Sequence, residues 1–166
     1  MASFILCGRR VSDTVYTNFE IQTVSFTEIA EATKAFLNEN FSGAVRISAN
    51  YKEGGFVDVS ADGFAYFFKV VLGSVFGREV IDIDLYSNEA QFKVTIEWNA
   101  RSSIKDSERD TLLTVAKNSG FDFEFSQGDD KIRIVLNLKK SSLPFLSVYA
   151  TDLNRMMLAF KRVFFL

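Results

Sequence analysis

Residues 64 to 76 read FAYFFKVVLGSVF, and the large apolar side chains in this run recur at helical spacing. Phe64, Phe67, Phe68, Val71, Leu72, Val75 and Phe76 fall at i, i+3, i+4, i+7, i+8, i+11 and i+12. That period gathers them on one broad face of a single helix. So wide an apolar face needs a second layer of structure to lie against. The segments that follow supply one. VIDIDLYS and QFKVTIEW alternate apolar and polar residues around SNEA, which predicts a hairpin. FDFEFS and KIRIVLNLK alternate around QGDD and predict another.

The remaining segments fill in the order. Residues 3–7 and 15–24 read as short strands. SFTEIAEATKAFLNENFSG predicts a helix, with Thr27 as its cap and Gly43 just past its end. AVRISANY alternates as a strand, KEGG is a turn, and FVDVS is a brief extended piece. Residues 101 to 109 are polar and loop-like, and SERDTLLTVAKNSG predicts a helix capped by Ser107 and stopped at Gly120. After the one linker-like stretch, LKKSSLP, a last helix runs from about Asp152. Hairpins separated by helices predict an α+β two-layer sandwich: a mixed sheet with helices on one face, plus a C-terminal helix. The expected organisation is one domain over residues 1–140, with an amphipathic helix at 141–166 appended to it.

Composition removes whole classes of function. The chain has 166 residues, 48% of them hydrophobic and 18 of them phenylalanine, enough for a sizeable core. The net charge of −2 argues against nucleic-acid binding, which needs a basic surface. With no histidine, there is no Ser-His-Asp or Cys-His catalysis and no phosphohistidine. The single Cys7 leaves a zinc site without ligands, has no intramolecular disulfide partner and suits a reducing cytoplasm. The start MASFILCGRR puts its basic residues after a short apolar run, the reverse of a secretory signal. The longest apolar run is interrupted by Lys69 and is too short to span a membrane. A cytoplasmic chain without a metal or other cofactor is the expectation.

From residue 26 to 139, the order helix, strand, helix, hairpin, helix, hairpin resembles the ATP-binding domain of histidine kinases and their relatives, the GHKL or Bergerat fold. The 64–76 helix resembles the family's magnesium-binding helix, and the hairpin of 80–98 the pair of strands that lead to its adenine-binding aspartate. The resemblance implies three pieces of nucleotide chemistry, and this chain departs from each. Ser74 falls where the family has a metal-holding asparagine. Trp98 stands at the aspartate, and Ala100 at the first glycine of the D-x-G-x-G motif. An indole offers a donor only, so the adenine amino group would meet no acceptor and would clash with the ring. Residues 99 to 119 hold no glycine, where the family has a glycine-rich lid. Arg101, Lys105 and Arg109 remain as residues that could attract an anion. The expectation is a member that has lost its nucleotide chemistry, with Trp98 filling the adenine pocket. It would act as a non-catalytic scaffold, adaptor or regulator, with a bacterial signalling context implied by the resemblance alone. Two other readings stay open: a nucleotide or small-ligand binder with altered chemistry, and an unrelated α+β protein.

Asp58, Asp62, Asp82 and Asp84 read as solvent-facing carboxylates, and residues 128–130 (GDD) as a hairpin turn. The last segment is more suggestive. Leu153, Met156, Met157, Phe160, Val163 and Phe164 form an apolar stripe opposite Arg155, Lys161 and Arg162. The family's ATP domain ends near the preceding strand, so this helix is extra. The stripe either folds back on the domain or meets a protein partner or a second copy. The charge is too slight to favour a membrane surface. Leu153, Met156, Met157, Phe160 and Phe164 are its candidate interface residues.

Overall fold

The computed structural model describes residues 19–52, 55–75, 79–101, 103–142 and 155–165. Cys7, Phe76, Leu153 and the strand expected at 3–7 lie outside these residues. The elements are β1 (Gln22–Ser25), α1 (Phe26–Asn40), β2 (Val45–Asn50), β3 (Phe56–Val59), α2 (Ala61–Val75), β4 (Ile81–Ser87), β5 (Phe92–Asn99), α3 (Asp106–Ser119), β6 (Phe121–Gln127), β7 (Lys131–Lys140) and α4 (Arg155–Phe165). The strands form one sheet in the order β1-β3-β7-β5-β4-β2, with β6 also paired to β7. Only β2 and β4 run parallel, so the sheet is mixed, and the fold is the expected α+β sandwich. β7 is the hub. It pairs β5 over Lys131–Leu138, β6 over Ile132–Leu138, and β3 at Lys139 and Lys140.

Alternation along the central strands separates two faces. Ile81, Ile83, Leu85, Val94, Ile96, Ile134 and Leu136 are buried beneath the helices. The other face is polar and cross-linked. Arg46 donates twice to Asp82 at 2.6 and 3.0 Å, Ser48 donates to Asp84 at 2.8 Å, and Arg133 pairs with Glu97. On β3 and α2, Asp58 accepts from the Thr23 hydroxyl at 2.9 Å, and Asp62 pairs with Arg162. All four carboxylates singled out in the sequence thus have protein partners.

Two helix starts differ from expectation. Ser25, not Thr27, caps α1: its Oγ accepts from the Glu28 N–H at 3.0 Å. Ser107 lies inside the first turn of α3. The helix starts at Asp106, and the Lys105 N–H donates to Glu108 Oε1 at 3.1 Å. Gly120 ends α3 with φ +87°, a left-handed conformation in which a side chain costs about 1–2 kcal/mol. Gly63 is required for space, because a Cβ there would lie 1.7 Å from Ser119 Oγ.

The C-terminal helix is part of the helical layer. α4 packs against both α1 and α2, which share no comparable contact with each other. Its stripe enters the gap between them. Met156, Ala159 and Phe160 are fully buried, and Val163 nearly so. The Phe160 ring stacks on Phe36 at 5.1 Å and meets Phe64 and Phe68 edge-on or tilted. Polar contacts fix both ends. The Met156 N–H donates to the buried Glu28 carboxylate at 2.8 Å, and Lys69 Nζ donates to the Val163 carbonyl at 2.9 Å. An anion at the N-terminus and a cation at the C-terminus both suit the helix dipole. Arg155 adds a bond to the Thr23 carbonyl at 3.0 Å. No described helix is long and apolar enough to cross a membrane.

Candidate functional site

The residues that would form a nucleotide pocket lie where α2 ends, β5 ends and α3 begins. Trp98 shares strand parity with Phe92, Val94 and Ile96, so the alternation that buries them buries it. It is 1% exposed, stands opposite Ile132 in register, and belongs to the same core as Leu72, Val75, Ile104 and Leu112. The indole occupies the inner face of the strand end.

Ser74 sits in the last turn of α2 and is buried. Its Oγ lies 2.9 Å from the Val70 carbonyl and 2.8 Å from Glu108 Oε2, two acceptors for one hydroxyl proton. Glu108 uses its other oxygen for the Lys105 N–H at 3.1 Å. One carboxylate therefore staples the end of α2 to the start of α3. Sequence reading missed Glu108. Its signal was position: a glutamate three residues after the helix N-cap reaches back to the cap backbone, as in a capping box.

The chain between β5 and α3 is short and engaged elsewhere. The Ala100 N–H donates to the Asp130 carbonyl at 2.9 Å, and the Arg101 N–H to Asn99 Oδ1 at 3.0 Å. Ile104 is buried beneath this connection. The basic side chains diverge. The exposed Arg101 reaches Glu79 at 3.3 Å, and the Arg109 guanidinium lies 4.4 Å from the centre of the Phe125 ring. Lys105 is exposed at the helix start. The structure thus brings Ser74, Lys105 and Glu108 together, puts Trp98 in the core, and sends Arg101 and Arg109 to separate partners.

Three surface clefts lie elsewhere. One of about 330 Å³ adjoins the N-terminus of α2 and Arg155, and one of about 350 Å³ lies on the polar sheet face. The largest, about 770 Å³, runs beside β6. None of the three is lined by Ser74, Trp98, Ala100, Arg101 or Lys105.

The candidate interface residues of α4 need correction on geometry. Met156 and Phe160 are enclosed between α1 and α2, so neither can meet a partner in this arrangement. Met157 and Phe164 are half-buried, with Phe164 against Phe36 and Phe41. The apolar residues that α4 shows to solvent are Leu158, 52% exposed, and Phe165, 65% exposed.

No family model matches the chain, and no curated protein matches it by sequence. Solved structures match it by shape. Histidine kinase AdeS of Acinetobacter baumannii aligns with a TM-score of 0.54 at 8% identity, covering 78% of this chain and 72% of that one. The catalytic domain of histidine kinase ThkA aligns at 0.54 and 8% identity, covering 73% and 97%. The cytoplasmic segment of histidine kinase QseC aligns at 0.52 and 9% identity, covering 74% and 80%. Sequence identity this low speaks only for architecture, and the architecture is the histidine-kinase-like ATPase fold.

Proposed function

We propose that this chain is a non-catalytic binding protein, an ATPase-like fold without nucleotide chemistry, acting as a scaffold or regulator in bacterial signalling. The observation that carries the reading is Trp98, buried at the strand end where the resemblance puts an adenine-binding aspartate. The Ser74–Glu108 contact supports it, because the hydroxyl at the metal-ligand position is committed to a neighbouring helix. The connection to α3 lacks glycine, which disfavours a loop able to wrap phosphates. The absence of histidine removes phosphotransfer through that residue. The signalling context rests on the fold alone.

The test is a titration with magnesium ATP followed by the fluorescence of Trp98, the only tryptophan. The expected result is a blue-shifted emission, unchanged up to millimolar nucleotide. A saturable change in the micromolar range would overturn the proposal and favour a nucleotide binder with altered chemistry.

A further inference from the structure

β2 closes the sheet at the end opposite β1, with β4 as its neighbour. Its outer side is open to solvent. Arg46, Ser48, Ala49 and Asn50 are all exposed, and they come from both faces of the strand. The stretches outside the described residues attach far from this edge. Residue 19 leads into β1, the Ser141 N–H donates to the Phe56 carbonyl at the start of β3, and Arg155 reaches the Thr23 carbonyl on β1. The chain before residue 19 and between residues 142 and 155 therefore joins the fold beside β1 and β3.

Backbone geometry shows what the β2 edge offers. The Ile81 N–H donates to the Ala44 carbonyl at 2.9 Å. In a parallel pair, the groups turned toward one neighbour come from alternate residues. Even-numbered residues of β2 thus serve β4, and Ile47 and Ala49 direct their N–H and C=O groups outward. Native edges are guarded by lysine, proline or a bulge. β2 contains neither residue type, and its pairing with β4 runs in unbroken register from Val45 to Asn50. Its one charged side chain, Arg46, is held within the sheet by both oxygens of Asp82.

We propose that β2 pairs with β2 of a second copy of this chain, antiparallel about a twofold axis at Ser48, so that one sheet runs through both molecules. The strand's complementarity to itself selects this occupant over a foreign strand. The axis sets Ile47 opposite Ala49 on both sides, and each such pair exchanges its outward N–H and C=O groups. On the helix side, the half-buried Ile47 covers the exposed Ala49 of the other copy. On the polar side, Arg46 meets Asn50 and Ser48 meets Ser48. Other axes fit less well. Centred on Arg46, the pairing opposes two arginines, and centred on Ala49 it opposes Arg46 and Lys52, like charges that destabilise a strand pair. Centred on Ile47, it sets Asn50 opposite Ala44, outside the partner's strand.

This inference goes beyond the binding role above and stands whether or not the chain takes a nucleotide. The experiment is sedimentation equilibrium of the full chain over a concentration series, with amide exchange read residue by residue. The expected result is reversible dimerisation in the micromolar range, with the Ile47 and Ala49 amides protected in the dimer and exchanging in the monomer. Substitution at Asn50 tests the register, because this residue would face Arg46 of the other copy. Asn50→Lys should weaken dimerisation and Asn50→Glu should tighten it, each by about threefold or more. Asn50 is exposed, so both variants keep the fold, and unchanged Trp98 emission checks this. The exchange measurement uses the unmodified chain and does not depend on them. A chain that stays monomeric at millimolar concentration overturns the proposal. So do dimers that leave the Ile47 and Ala49 amides unprotected, and dimers that respond to neither substitution or to both in the same direction.

Discussion

Phe160→Ala tests whether α4 belongs to the fold or merely rests on it. The side chain is fully buried, with ring centres of Phe36, Phe64 and Phe68 at 5.1, 6.3 and 6.2 Å. Removing a buried phenyl ring costs the transfer of its surface plus the cavity left behind, about 3–5 kcal/mol. At a urea slope of about 2 kcal/mol per molar, the midpoint should fall by about 1.5–2.5 M. Leu158→Ala, two residues earlier on the same helix, is the control. That side chain is half exposed, so its loss should cost no more than about 0.5 kcal/mol. Unfolding is followed by Trp98 fluorescence and far-ultraviolet circular dichroism together. Trp98 reports on the sheet core, so coincident transitions would place α4 in the same cooperative unit. Two results would refute the reasoning. One is similar small effects from both substitutions. The other is an early loss of helix signal in Phe160→Ala with the Trp98 transition unmoved, the signature of a separately melting appendage.

Two further outcomes follow from polar contacts. Ser74→Ala should destabilise the chain by about 1–2 kcal/mol through loss of the Glu108 contact, and a double-mutant cycle with Glu108→Ala should show coupling of about 1 kcal/mol. Coupling near zero would mean that the two helices are not joined there. Burial holds the Lys69 ammonium below the usual lysine range. The folded chain therefore releases this proton before the unfolded chain does. The resulting penalty to stability is present at neutral pH and fades as pH rises toward the ordinary lysine value. Carbon-13 titration of the lysine side chains should find Lys69 titrating ahead of the exposed lysines. Titration in step with them would show that its contact with the Val163 carbonyl is open to water.

Period was the legible part of this sequence. The alternation of β4, β5 and β7 and the broad stripe of α2 follow from geometry that repeats every few residues, so side-chain order alone reveals them. The burial of Trp98 was legible in the same way, from its parity with Val94 and Ile96. Contacts between distant segments were not. The α4 stripe reads alike whether it meets a partner or its own domain, and only the gap between α1 and α2 decides. Glu28 looks like a surface residue of an amphipathic helix. It is buried because it receives the Met156 N–H in the first turn of a helix, 128 residues further along. The caps failed for a smaller reason. Ser25 and Thr27 both carry a hydroxyl suited to capping, and the end of β1 at Ser25 selects between them.

The position of β7 as hub has a consequence for how the molecule is made. β3, β5 and β6 all precede β7 in the chain, and all pair with it. During synthesis, these three strands leave the ribosome before their common neighbour does. The β4–β5 hairpin can close on its own, but its inner face and its far edge remain open until residues 131–140 arrive. Early helices have the same problem, since the wedge between α1 and α2 is made after both of them. The nascent chain therefore presents apolar strands until residues 131–140 emerge, and a phenylalanine-lined trench until residues 155–165 do. Such a chain depends on holding factors more than a protein that closes locally, and its folding is governed by contacts between distant segments.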